Sequence, residues 1–160
     1  MQIINYGEEF SHIENYTTYA KQAILEMCRQ VGEPTFSKDG ILTKGVLIRH
    51  LILPNNVNNT KKVIDWLECN VKDKAVISIM AQYFPCHKAT NIQVLNRGIT
   101  KREYKKVENY LYEKNFRYGY IQDMRKTRRN ICTKVLINFK QYYINYNIKY
   151  IKNQIIYIIN

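Results

Sequence analysis

Gly45-Val46-Leu47-Ile48-Arg49-His50-Leu51-Ile52-Leu53, stopped by Pro54, is the stretch that decides the fold. Its near-continuous apolar character, broken only by Arg49 and His50, suits a strand covered on both faces, as in a parallel sheet. Upstream, Tyr16, Tyr19, Ala20, Ala23, Ile24, Met27 and Val31 recur at steps of three and four and predict one face of a helix. Asn15 can cap that helix and Gly32 can end it, and Pro34 keeps it from resuming. Between Pro34 and the strand, Ser37-Lys38-Asp39-Gly40 reads as a polar turn.

Downstream, residues 55–59 form a polar turn, and Thr60 opens a helix of about ten residues. Val63, Ile64 and Leu67 face one way along it, and Lys61, Lys62, Asp65 and Glu68 face others. Lys72 to Lys74 break this helix. Ala75-Val-Ile-Ser-Ile-Met80 then reads as a second buried strand, running into Ala81-Gln82-Tyr83-Phe84-Pro85. After a long connection over 87–99, Thr100 and Glu103 have the spacing of a capping box, in which each side chain satisfies the other's free backbone N–H. Tyr104, Val107, Tyr110, Leu111 and Lys114 continue at helical spacing, and 116–121 is a third strand candidate. Strands separated by helices of this length run parallel with right-handed crossovers, so the expected class is α/β. Three strands alone leave two unpaired sheet edges, which points to a piece of a larger sheet or barrel and to self-association through those edges.

At 160 residues, with 46% hydrophobic and 24% charged residues, the chain has the composition of a globular domain rather than a disordered segment. No apolar run approaches the roughly 18–20 residues a membrane-spanning helix needs, and Glu8 and Glu9 spoil an N-terminal signal. The expectation is a cytoplasmic protein with no membrane partner. Cys28, Cys69, Cys86 and Cys132 make no CxxC-type pair and read as reduced thiols with no metal role. Cys86-His87 reads as a plain loop pair, because neighbouring residues rarely present both side chains to one reaction centre. His12 has no ligand-spaced partner.

The net charge of +12 is uneven: residues 1–123 hold 17 Lys or Arg against 13 acids, whereas 124–160 hold eight and no acid. Ile, Asn, Lys and Tyr supply 25 of the last 37 residues. A boundary near Asp123 therefore separates 1–122 from a basic tail over 123–160, expected to be irregular or helical. That composition is what AT-rich DNA yields in an arbitrary frame, so the tail reads as a shifted-frame or read-through extension. In the competing reading, Arg125, Lys126, Arg128 and Arg129 contact phosphates and Tyr142, Tyr143, Tyr146 and Tyr150 stack on bases. Tyr143, Tyr146 and Tyr150 also have the spacing of a simple packed helix, and nucleic-acid binding is the less favoured reading.

The strand over 45–53 with its Pro54-Asn55 exit, the strand running into Gln82-Tyr83-Phe84-Pro85, the Leu95-Asn96-Arg97 run, residues 100–104 and the Gly119-Tyr120-Ile121-Gln122 end come in a telling order. With Asn15-Tyr16 and the helix over 23–32, they resemble the C-terminal half of radical S-adenosylmethionine proteins of the pyruvate formate-lyase-activating-enzyme-like group. The resemblance covers about residues 5–122. It implies half of a TIM-type barrel, and an enzyme in which a 4Fe-4S cluster reductively cleaves S-adenosylmethionine. The cluster of that group sits on a Cys-x-x-x-Cys-x-x-Cys loop, and the methionine amino group meets a glycine-rich stretch; both are missing here and belong to the region that would precede residue 1. The implied state is a truncated protein, inactive alone, that binds neither cluster nor S-adenosylmethionine stably by itself. A split enzyme completed by a separate N-terminal half-barrel is the alternative.

Ligands of α/β barrels meet residues at the C-terminal ends of strands. The cofactor- or substrate-facing candidates are accordingly Arg49, His50, Asn55, Gln82 and Tyr83. Adjacent strand residues point to opposite faces, so at most one of Arg49 and His50 can line a cavity.

Overall fold

A computed structural model of the chain describes residues 15–122 and, beyond them, the backbone of three further strands. Helix α1, Tyr16–Val31, buries Ala20, Ile24 and Cys28 on one face. It ends at Gly32, whose φ of 78° turns the chain while its N–H still reaches the Cys28 carbonyl. Asn15 stands at the other end with φ 57° but makes no side-chain cap. The stretch expected to be only a turn is a small antiparallel hairpin, β1 (Thr35–Phe36) with β2 (Leu42–Lys44). Alternation is too short there to show in sequence, and the Thr35 and Thr43 hydroxyls meet at 3.0 Å. Gly45 follows at φ 141°, where a Cβ would come within 3.1 Å of the Pro34 Cα. Only glycine lets the hairpin pass this close to the strand it precedes.

Strand β3 is Val46–Leu51, α2 is Val57–Val71 and β4 is Ala75–Met80. Helix α2 starts three residues before Thr60, because its first turn takes in the polar Asn58 and Asn59. A short 3₁₀ turn at His87–Asn91 interrupts the long connection. Helix α3, Lys101–Glu113, opens with both hydrogen bonds of the Thr100/Glu103 capping box. Strand β5, Tyr118–Gln122, begins two residues later than the sequence suggests.

The tail contradicts the expectation of an irregular or helical segment at three places: β6 (Thr133–Ile137), β7 (Lys140–Tyr142) and β8 (Ile155–Ile159) are strands. Their β-branched Ile, Val and Thr and their Tyr favour extended backbone over helix. Tyr143, Tyr146 and Tyr150, Arg125 to Arg129, Cys132 and His12 lie outside the described residues.

The six-stranded sheet has the order β7-β6-β5-β4-β3-β8. Strands β3, β4 and β5 are mutually parallel. The edges expected to be open are paired, β3 with β8 in parallel and β5 with β6 in antiparallel.

Because β3, β4 and β5 succeed one another in a single direction across the sheet, right-handed crossovers put α2 and α3 on the same face. One core joins Ile24 and Cys28 of α1, Ile64 and Leu67 of α2 and Val107 and Leu111 of α3 to Val46, Ile48, Ile77, Ile79 and Ile121. The opposite face carries a separate, smaller cluster of Leu42, Leu47 and Val76, with Phe36, Tyr118 and Tyr120 packed against it. Among the described residues no helix residue belongs to that second cluster. The hairpin covers its lower end, where the Phe36 and Tyr118 rings lie 4.9 Å apart.

Candidate functional site

The two polar residues inside β3 part company. His50 turns to the helix-covered face, where it is 2% exposed and its Nε2 lies 3.0 Å from the Thr60 hydroxyl of α2. It therefore sits in the core rather than in a ligand cavity, because strand alternation sends it to the side of Ile48 and Ile52. Arg49 turns to the helix-free face and is half-buried there. In register it stands beside Ser78 of β4, and Ser78 stands beside Tyr120 of β5. A polar row thus crosses three parallel strands, between the apolar row Leu47 and Val76 below and Leu51 and Met80 above.

Sequence reasoning missed Ser78 and Tyr120. The signal was present: Ser78 is the one polar residue in an otherwise apolar strand, and Tyr118 and Tyr120 share a face at a spacing of two. The ion pairs among the described residues lie on helices and connections, and Arg49 takes part in none of them.

The rim beyond the C-terminal strand ends is organised by Glu103. Its carboxylate accepts from Arg97 through both terminal guanidinium nitrogens, at 2.7 and 2.8 Å, and from the Thr100 N–H and hydroxyl at 2.8 Å each. It also accepts at 2.7 Å from the backbone N–H of Asn55. Asn55 has a φ of 61°, a left-handed turn directly after the strand exit, and its side chain is exposed. The residue predicted as a ligand contact thus engages the rim through its backbone. Arg97 holds the Glu103 carboxyl well below its ordinary value of 4.5, with Thr100 and Asn55 adding to the effect and partial burial opposing it. One carboxylate therefore ties together the β3 exit, the connection before α3 and the α3 N-terminus.

Gln82 is exposed and its amide lies 3.8 Å from the Met80 sulfur. Tyr83 is half-buried and donates its hydroxyl to the Leu95 carbonyl at 3.0 Å. Burial, with the neighbouring Cys86, pushes its phenol above the ordinary value of 10.0. Tyr83 thereby fastens the strand end to the following connection, and the structure does not bring it to the Arg49 row.

Cys28 is buried in the helical core, which pushes its thiol up, while Cys69 and Cys86 are exposed. Among the described residues no three His, Cys, Asp or Glu side chains converge as a metal site. The donor set there does not fit an iron–sulfur cluster, which needs closely spaced thiolates. Among the same residues no helix is long and apolar enough to cross a membrane.

Fold and site together define an α/β protein whose parallel strands carry helices on one face and a polar row on the other. The chain is 34% identical over 101 residues to the uncharacterized protein MJ0674 of Methanocaldococcus jannaschii, a match covering 62% of this chain and 25% of that protein. It thus spans about a quarter of that relative's length. No protein-family model matches the chain, and no solved structure gives a significant match.

Proposed function

We propose that residues 1–122 form the C-terminal half of a radical S-adenosylmethionine barrel of the pyruvate formate-lyase-activating-enzyme-like group, inactive alone and placed in the cytoplasm. The observation that carries this reading is the winding of the sheet. Three successive parallel strands advance in one direction with every crossover helix on one face. That is the local geometry of a barrel wall, in which helices stand outside and the helix-free face lines the interior. A doubly wound sheet reverses direction and puts helices on both faces.

In this reading the chain supplies a ligand-facing wall, centred on Arg49 and framed by the rim that Glu103 fastens. The cluster and the S-adenosylmethionine that it cleaves belong to a separate N-terminal half, since the described residues offer no thiolate set. The outer edges of the sheet, β7 and β8, are the surfaces by which such a half, or a second copy of this chain, would add strands.

The test is anaerobic reconstitution of the full chain with iron and sulfide, followed by assay for 5′-deoxyadenosine. The expected result is no stable cluster and no cleavage by the chain alone. Co-expression with a half-barrel bearing a Cys-x-x-x-Cys-x-x-Cys loop should give co-purification, a raised melting temperature and cleavage. Cleavage by the isolated chain sinks the inactive-half reading, and failure of every such half-barrel to bind sinks the barrel reading.

A further inference from the structure

We propose that Arg49, Ser78 and Tyr120 form a subsite for the carboxylate of a small organic acid whose apolar part lies against Leu51. The proposal deepens the reading above by naming what the helix-free wall takes, and it rests on that reading only for the wall facing a cavity.

None of the eight described strands contains an aspartate or glutamate. The sheet therefore supplies no counter-charge to Arg49, a half-buried residue that is in no ion pair among the described residues. An anion arriving on that face gives the guanidinium a charge-assisted partner. Guanidinium presents a planar fork that matches a carboxylate bidentately. The register brings the Ser78 hydroxyl, and beyond it the Tyr120 phenol, into the same row at strand spacings of about 4.8 Å.

The surroundings decide between anions. A single guanidinium neutralises one charge, which suits a monocarboxylate better than a phosphate dianion. Toward the N-terminal strand ends the row is closed off by Leu47 and Val76 beneath the hairpin. Toward the C-terminal ends it meets Leu51, half-buried, and Met80, 6% exposed. A ligand enters from that end and leaves its hydrocarbon part on Leu51, beside the enclosed Met80.

The test titrates n-butyrate, acetate and inorganic phosphate into the full chain. The Arg49 Nε–H resonance and the backbone amides of residues 48–51, 78 and 120 are followed by NMR. Saturable shifts are expected with butyrate, severalfold tighter than with acetate, and with phosphate the weakest. Arg49→Gln should weaken butyrate by about tenfold or more and Ser78→Ala by about two- to fivefold, as expected for a charged and a neutral hydrogen bond. Arg49→Lys, which keeps the charge and loses the fork, should fall between wild type and Arg49→Gln; the melting temperature of each variant establishes that it is folded. The proposal is overturned by the absence of saturable shifts, by equal binding to wild type and folded Arg49→Gln, or by phosphate binding more tightly than butyrate. Such an outcome leaves the barrel reading standing, because that is judged by complementation and not by anion binding.

Discussion

His50 and Arg49 are neighbours in β3, yet they occupy different chemical worlds. On the helix-covered face every large side chain of β3, β4 and β5 is enclosed: Val46 and Ile48 are 0% exposed, and the one polar group, His50, has found the Thr60 hydroxyl. Across the sheet the covering among the described residues is a two-strand hairpin at one end, and the polar row above it holds a cation that no strand residue balances. A face that buries its polar atoms in pairs serves stability. On the proposed subsite, a face whose half-buried arginine meets no carboxylate among the described residues is the one that takes an anion, held by charge-assisted hydrogen bonds.

The contrast breaks most visibly under truncation. Ile48→Ala, on the enclosed face, should cost about 2–5 kcal/mol in urea unfolding through lost burial and the cavity left behind. Thr60→Val should cost about 1–3 kcal/mol, since it leaves a buried imidazole nitrogen without its partner. Adding His50→Leu to Thr60→Val should recover part of that loss; full additivity of the two changes argues that the pair is not coupled.

Glu103→Gln addresses the rim that frames the open face. Loss of the charged acceptor for Arg97, Thr100 and Asn55 should cost about 1–2 kcal/mol, discounted because the Arg97 side chain is 40% exposed. The carboxyl is held below its ordinary value of 4.5 in the folded chain, so its contribution is full above that pH and is lost as pH falls toward the folded value. Stability curves of wild type and Glu103→Gln should therefore converge on acidification below about pH 4.5. A gap that stays constant down to acid unfolding contradicts the assignment.

The smallest effects belong to the open face and the outer surface. Arg49→Gln should change stability by no more than about 0.5 kcal/mol while weakening butyrate binding by about tenfold or more. A large loss of stability there instead indicates a packing role for its stem. Glu26→Gln, removing an exposed pair in which Arg29 and Glu26 are 72% and 50% exposed, should leave the unfolding midpoint unmoved.

Much of the architecture was legible from local pattern. The period of α1, the strand 75–80 and the Thr100/Glu103 capping box all appear where residue spacing puts them, because each rests on contacts within a few positions. The hairpin over 35–44 was not legible, since two- and three-residue strands carry too few alternations to register. The strands of the tail were obscured by a composition that suits translation of AT-rich DNA as well as it suits extended chain. Of the site, Arg49 could be picked out as a polar residue in an apolar strand, but the spacing could not choose it over His50.

The amino-acid sequence by itself determined the kind and order of the elements from α1 to β5 apart from the hairpin, the parallel sense of the central strands and the concentration of charge in the tail, because periodicity, capping and breakers act locally. Tertiary structure alone decided which face of β3 the helices cover, that Arg49 rather than His50 remains on the other face, and that Ser78 and Tyr120 complete its row. It also decided that Glu103 reaches the backbone of Asn55, 48 residues away. Alternation defines two faces without saying which is covered; sheet order and crossover handedness settle that, and both are properties of strands brought side by side from distant parts of the chain.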